Sequence, residues 1–547
     1  MNKLFALIAI LIISVGCSRG IEADLIVSAK LIWTGDDSNP QAEAMAIKAD
    51  TILALGSLQE IMAYKGPNTI VEAYDNEMII PGFIDAHTHF MDGGYNLLSV
   101  QLRDAGTPEE FIERIKAYEA TIEPGEWILG GDWNHENWGG ELPQKSWVDS
   151  VTANNPLFIN RLDGHMVLVN SKAMELANVT NQQADIAGGT IVRDGAGNIT
   201  GIFKDNARRP FYKVLPDPSL KQQLRAAKTA MEYVASHGVT SVHALNDMND
   251  AYAQLHEKEE MTTRVYVTGS LASWRNALKD AEEYKGGDKW LRFGGVKGFV
   301  DGSLGSHTAA FYEPFSDTPT DSGFFVNTPD NLHRWIKSAD SADLQVMVHA
   351  IGDRAIHTLL GIFEEVEKEN GSKDRRFRIE HAQHILPDDF ARFAELNIIA
   401  SVQPYHAIDD GRWAEKVIGA ERIKTTYAFK SLLDAGARVV FGSDWFVAPP
   451  IPLEGIYAAV TRQTLDGADP DGWVPEQKIT AEQALRAYTV DAAYASFEED
   501  IKGSLEPGKL ADFVVLDKNI LSIPGDEIRS TKVIATFVGG KLVFMKE

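Results

Sequence analysis

Gln345-Val346-Met347-Val348-His349, a helix-like stretch from Ala355 to Glu369, then Phe377-Arg378-Ile379-Glu380-His381: this strand–helix–strand segment decides the fold. Two short apolar runs joined by a helical crossover belong side by side in a parallel sheet. The pattern recurs on both sides. Upstream, the helix-like Leu220 to Ser236 precedes Thr240-Ser241-Val242-His243, followed by Arg264-Val265-Tyr266-Val267 and Gly295-Val296-Lys297-Gly298-Phe299-Val300. Leu332 to Ala342 is helix-like again, and downstream lie Ile398-Ile399-Ala400-Ser401-Val402 and Arg438-Val439-Val440-Phe441-Gly442-Ser443-Asp444. Apolar strands alternating with helices imply α/β architecture with a buried parallel sheet. Seven or eight such units fit a (β/α)8 TIM-like barrel, expected over residues 82–500 with an insertion at about 125–215.

Both flanks have a different texture. Asp24-Leu25-Ile26-Val27, Leu31-Ile32-Trp33-Thr34, Ala44-Met45-Ala46-Ile47 and Thr51-Ile52-Leu53-Ala54-Leu55 read as short strands separated by turn-formers. Ala511 to Asp517 and Val533 to Val543 read likewise, the second broken by the hairpin pair Gly539-Gly540. Residues 22–81 and 501–547 are therefore expected to form one composite β-sandwich from both termini.

The bulk properties set bounds. The chain has 547 residues, 44% hydrophobic and 24% charged, which suits more than one compact unit. Its net charge is −26, which repels nucleic acid and anionic lipid and leaves a small molecule as the expected partner. Residues 1–17 combine Lys3, an apolar run from Leu4 to Ile13, and Ser14-Val15-Gly16-Cys17, the pattern of a lipoprotein-type signal peptide with Ser14 where Leu is usual. Lipidation of Cys17 would place the protein in the periplasm or cell envelope, touching membrane only through that anchor; an ordinary cleaved signal is the alternative. Cys17 is the one cysteine, so disulfides and thiolate chemistry drop out, and a metal site must draw on His, carboxylate or modified Lys.

Chemistry gathers at the strand ends. Pro81-Gly82-Phe83-Ile84-Asp85-Ala86-His87-Thr88-His89 is an apolar strand feeding two histidines that period-two geometry turns to one face, where both reach one ion. His349, His381 and Asp444 close three further strands, and barrel active sites sit at the C-terminal strand ends.

These motifs make the chain resemble the amidohydrolase superfamily. Within it, the chain resembles amidohydrolase family 3, the group of N-substituted formamide deformylase-like and YtcJ-like proteins. The narrower likeness rests on Gly130-Gly131-Asp132-Trp133-Asn134-His135, Arg161 to Ser171, Val296-Lys297-Gly298-Phe299-Val300-Asp301-Gly302-Ser303-Leu304-Gly305-Ser306, Val348 to Ala355, Arg378 to Ala382 and Gly442-Ser443-Asp444-Trp445. The resemblance runs from about Ala23 to the C-terminus. It implies that His87 and His89 hold a buried divalent metal, zinc first, with one or two ions. Lys297 matches a lysine that can be N6-carboxylated, which turns a cation without a lone pair into an anionic oxygen ligand. His349 and His381 would hold the second metal. Asp444 would contact metal and act as general base, taking a proton from the attacking water and passing it to the departing amine. Hydrolysis of a carbon–nitrogen bond other than a peptide bond follows, in a linear amide or N-substituted formamide.

Arg161, His165, Asp205, Asp301, Ser303 and Arg354 lie in the family-like segments as substrate-binding or loop residues. So does His307, which stands where the family often has Arg. Trp127, Trp133, Trp138 and Trp147 read either as a lid over the substrate or as a core of the insertion. His243 reads as pocket-lining or structural. A cyclic-amide or aminoacyl/dipeptide hydrolase and a non-catalytic metal-binding lipoprotein remain the alternatives, and a homodimer is compatible with all three.

Overall fold

The computed structural model describes residues 21–161, 166–184, 186, 189–247, 250–305 and 307–547. Cys17 with its leader, Ser306 and His165 lie outside these residues, as does the side chain of Asp205.

Eight parallel strands pair in chain order. They are β1 Phe83–Thr88, β2 Val239–Ala244, β3 Arg264–Ser270 and β4 Leu291–Phe299, then β5 Gln345–Ala350, β6 Arg378–His381, β7 Ile399–Val402 and β8 Arg438–Phe441. The sheet closes where β8 meets β1. There Asp444 donates its N–H to the His87 carbonyl at 2.7 Å, and Ser443 donates to Asp85 at 2.9 Å. Gly442 makes this approach possible, since a Cβ would stand 2.5 Å from the His87 nitrogen. The strands are apolar because both faces are covered, yet the interior also carries buried Arg378, Glu380 and His243.

Between helix α1 (Phe90–Leu98) and helix α2 (Leu220–Ser236) the chain builds an inserted unit, whose first strand pair already includes Val100. It adds a helix, Pro108–Glu119, capped by Thr107. An antiparallel sheet of Phe158–Asn160, Met166–Val169, Gly189–Arg193 and Ile199–Asp205 completes it. Trp133 is fully buried with Leu102, Phe111 and Ile159, and Trp138 and Trp147 pack on that core. Trp127 packs on a second core around Phe158, Phe203 and Phe211. The aromatics are thus the interior of the unit.

Both ends of the chain join one seven-stranded sheet separate from the barrel. Leu25–Trp33 is a single strand where two were expected. Its register shifts between Ser28 and Ile32, a bulge that lets an exposed Lys30 interrupt the apolar pattern without ending the strand. Ile70–Pro81 pairs with it on one side and with Phe513–Leu516 on the other. Val27, Met45, Ile79, Phe513, Val515 and Phe537 make the core. Arg264 of β3 fastens barrel to sheet through Asp512, with Nε and Nη2 donating to Oδ2 and Oδ1 at 2.7 and 2.8 Å, both residues buried.

Candidate metal centre

Several barrel strands deliver a polar residue to the same end. His87 is next to last in β1, His349 next to last in β5, and His381 ends β6. His89 caps α1 and ties its N–H to the Trp445 carbonyl at 2.6 Å, beside Asp444. Ligand atoms of His87, His381 and Asp444 lie within 4.8 Å of one another. Asp444 Oδ1 stands 3.3 Å from Nε2 of both His87 and His89. Ring centroids of His381 and His349 are 4.4 Å apart, and Lys297 Nζ is 3.2 Å from His87 Nε2. All six metal candidates from the sequence converge here. Among the described residues this is the one group of three or more such side chains, whereas a surface cavity of about 570 Å³ lies in the inserted unit near Lys145 and Asn198.

The outward nitrogens of three imidazoles are committed. His87 Nδ1 faces Glu380 Oε2 at 2.6 Å, His381 Nδ1 faces Gln403 Oε1 at 2.8 Å, and His349 Nε2 faces the Gly302 carbonyl at 2.9 Å. An oxygen acceptor draws the ring proton to that nitrogen and leaves the lone pair on the other. Burial lowers His349 to about 3 and His381 well below its ordinary value, so both are neutral donors at pH 7. For Asp444, burial would raise the carboxyl, but the charge and hydrogen bonds of His87 and His89 outweigh it and hold it well below the usual range. Burial likewise lowers Lys297 to about 8. Two neutral imidazoles, His349 and His381, beside the His87 ring and one anionic carboxylate, with the outer nitrogens of all three rings already met by an oxygen, are the donor set a divalent cation takes.

Three contributors were not anticipated: Glu380, Gln403 and Asp85. Burial works to raise Glu380, yet the charges of Arg378 and His87 outweigh it and hold it at about 2. Asp85 accepts the N–H groups of Ser443 and His87, and burial raises it to about 6. The available signal was the polar pair Arg378 and Glu380 at alternate positions in an apolar strand, which puts both on one face.

Of the remaining candidates, Asp301 borders the centre and the others stand elsewhere. Asp301 accepts three backbone N–H groups, from Ala310, Ile351 and Gly352, and burial raises it to about 7. It lies 3.6 Å from His349 Nε2. The Ser303 carbonyl accepts from Thr308 and Ala309, and His307 pairs with Asp317 at 3.0 Å within the same loop. Arg354 donates to the Gly323 carbonyl at 3.3 Å and lies over the Phe325 ring. Arg161 contacts His135 at 3.4 Å in the inserted unit. His243 accepts from Arg378 Nη1 at 2.9 Å inside the barrel.

The chain is 40% identical over 541 residues to Protein LONG AFTER FAR-RED 3 of Arabidopsis thaliana, covering 96% of this chain and 92% of that one. It is 26% identical over 547 residues to N-substituted formamide deformylase of Arthrobacter pascens, covering 95% and 98%. An uncharacterized metal-dependent hydrolase from Pyrococcus furiosus superposes with a TM-score of 0.75 at 28% identity, over 91% of this chain and all of that one. The amidohydrolase family profile matches residues 74–544, which take in the barrel, the end of Ile70–Pro81 and the C-terminal strands of the two-ended sheet, and the chain belongs to that family.

Proposed function

We propose that this protein hydrolyses the carbon–nitrogen bond of a small linear amide or N-substituted formamide at one or two divalent cations, zinc first. The observation that carries the reading is the convergence of His87, His381 and Asp444 at the C-terminal end of the barrel. His87, His89 and Asp444 would hold one ion, His349 and His381 a second, with Lys297 between them. When bound, such a cation polarises a carbonyl and lowers the pKa of water from about 15.7 towards about 7. The protein's own part is to place Asp444 as an anionic proton acceptor and then as donor to the departing amine. Lys297, buried and with its amine at His87, is placed to add carbon dioxide and lose a proton, giving an anionic carbamate oxygen. The name of the Arthrobacter relative supports the formamide end of the substrate range. Export through the leader and anchoring at Cys17 belong to the same reading.

Metal analysis of the purified protein, with a screen of N-formyl, N-acyl and aminoacyl amides, tests it. Bound zinc and chelator-sensitive release of an amine are expected. Protein that holds no zinc, manganese or iron and shows no chelator-sensitive turnover would overturn the reading.

A further inference from the structure

A histidine can give its lone pair to a metal through one nitrogen only if its proton sits on the other. For His87 that choice is not made by the ring. Nδ1 has two polar neighbours of opposite kind: Glu380 Oε2 at 2.6 Å, an acceptor, and Gln403 Nε2 at 3.3 Å, a donor. Gln403 is turned this way because its Oε1 accepts from His381 Nδ1 at 2.8 Å and its Nε2 faces the Ser401 carbonyl at 3.4 Å. Left alone with Gln403, His87 would accept at Nδ1 and carry its proton on Nε2, the nitrogen that faces Lys297 and Asp444.

Glu380 in turn is held from behind. Arg378 Nε stands 2.8 Å from Oε1, an ion-pair contact whose N–H is not aligned for a hydrogen bond. Both side chains are fully buried, and the guanidinium is fixed by donation to His243, Ser401 and the Ala86 carbonyl. A buried ion pair of this kind is weak evidence for stability. Its place behind a candidate ligand suggests another use. We propose that Glu380 is a positioning residue that fixes His87 in the Nδ1–H form, overriding Gln403, with Arg378 fixing which carboxylate oxygen faces the ring. The inference rests on the metal-centre reading.

The amide of Glu380→Gln is nearly the same shape but not free to turn. The guanidinium attracts its carbonyl oxygen, so the NH2 group meets His87 Nδ1 and moves the ring proton to Nε2. Adding Arg378→Met removes that constraint and lets the carbonyl oxygen swing back to His87. A purely structural role for Glu380 predicts no such recovery.

The test is zinc affinity of the full chain, stripped of metal and titrated in competition with a chromogenic chelator, with thermal unfolding as the check on folding. Glu380→Gln should weaken zinc binding by about 10–100-fold, the usual cost of losing an outer partner of a ligand. Arg378→Met/Glu380→Gln should recover most of that loss. Affinity of Glu380→Gln within about threefold of wild type would overturn the proposal, as would a folded double variant that binds no better than the single one. If the double variant does not fold, Glu380→Gln alone decides. Wild-type protein that takes up no zinc overturns the metal-centre reading itself, an outcome distinct from the others.

Discussion

Two of the buried arginine–carboxylate pairs in this molecule, Arg264–Asp512 and Arg378–Glu380, are built differently. Arg264 and Asp512 make two aligned hydrogen bonds, Arg264 Nη1 donates to the Lys289 carbonyl, Asp512 accepts from Gly539, and Trp290 covers the guanidinium at 4.3 Å. Arg378 and Glu380 touch through an unaligned contact, and the carboxylate spends its good hydrogen bond on His87. The first pair is satisfied within itself and joins two bodies. The second is organised around a third residue. Burial and charge alone do not separate a fastener from a piece of site machinery; where the hydrogen bonds go does.

The contrast can be broken experimentally. The largest effect is expected at Asp444, which the second pair serves through His87. Asp444→Asn should cut turnover by about 10²–10⁴-fold, while His87 and His381 keep some zinc, read by steady-state hydrolysis beside metal content. Next comes the fastener. Asp512→Ala strands the Arg264 charge between barrel and sheet and should cost about 3–5 kcal/mol in denaturant unfolding, with zinc affinity unchanged. A loss of zinc affinity in that variant would erase the distinction.

A smaller effect is a pH dependence. Glu380 lies at about 2 when folded and near the ordinary carboxylate value of 4.5 when unfolded. Its folded pKa is depressed, so its contribution is present above about pH 4.5 and fades as pH falls towards about 2. Relative to Glu380→Gln, metal-free wild type should lose up to about 3 kcal/mol across that window. A stability difference flat from pH 5 to 2 would show the carboxylate is not held as described. The smallest effect is expected at the surface His307–Asp317 pair, where His307→Ala should leave the thermal unfolding midpoint close to that of wild type.

The barrel was legible because its strands are continuous apolar runs with helices between them, a pattern few architectures share. Leu220–Ser236 was readable to the residue, since Ser219 and Gln222 form a capping box. The first strand was cut in two because a bulge looks locally like a turn. In the site, the six candidate ligands were visible at strand ends or through family likeness, but their outer partners were not. Glu380 looks like any charged residue in a strand until β1 brings His87, 293 positions away, against it. Asp301 and His307 stand in a family-like motif, yet their partners lie from 9 to 51 residues on, which a motif does not reveal.

The sheet shared by both ends also sets a timetable. Pro81 pairs with Phe513, 432 residues later, so during synthesis the edge of Ile70–Pro81 is exposed before its neighbour exists. At roughly 5–20 residues per second that wait is about 20–90 s, spent with an open apolar strand edge. The whole barrel emerges in that interval. Emergence of Phe513–Leu516, rather than barrel closure, is the event that lets Ile70–Pro81 find its second neighbour.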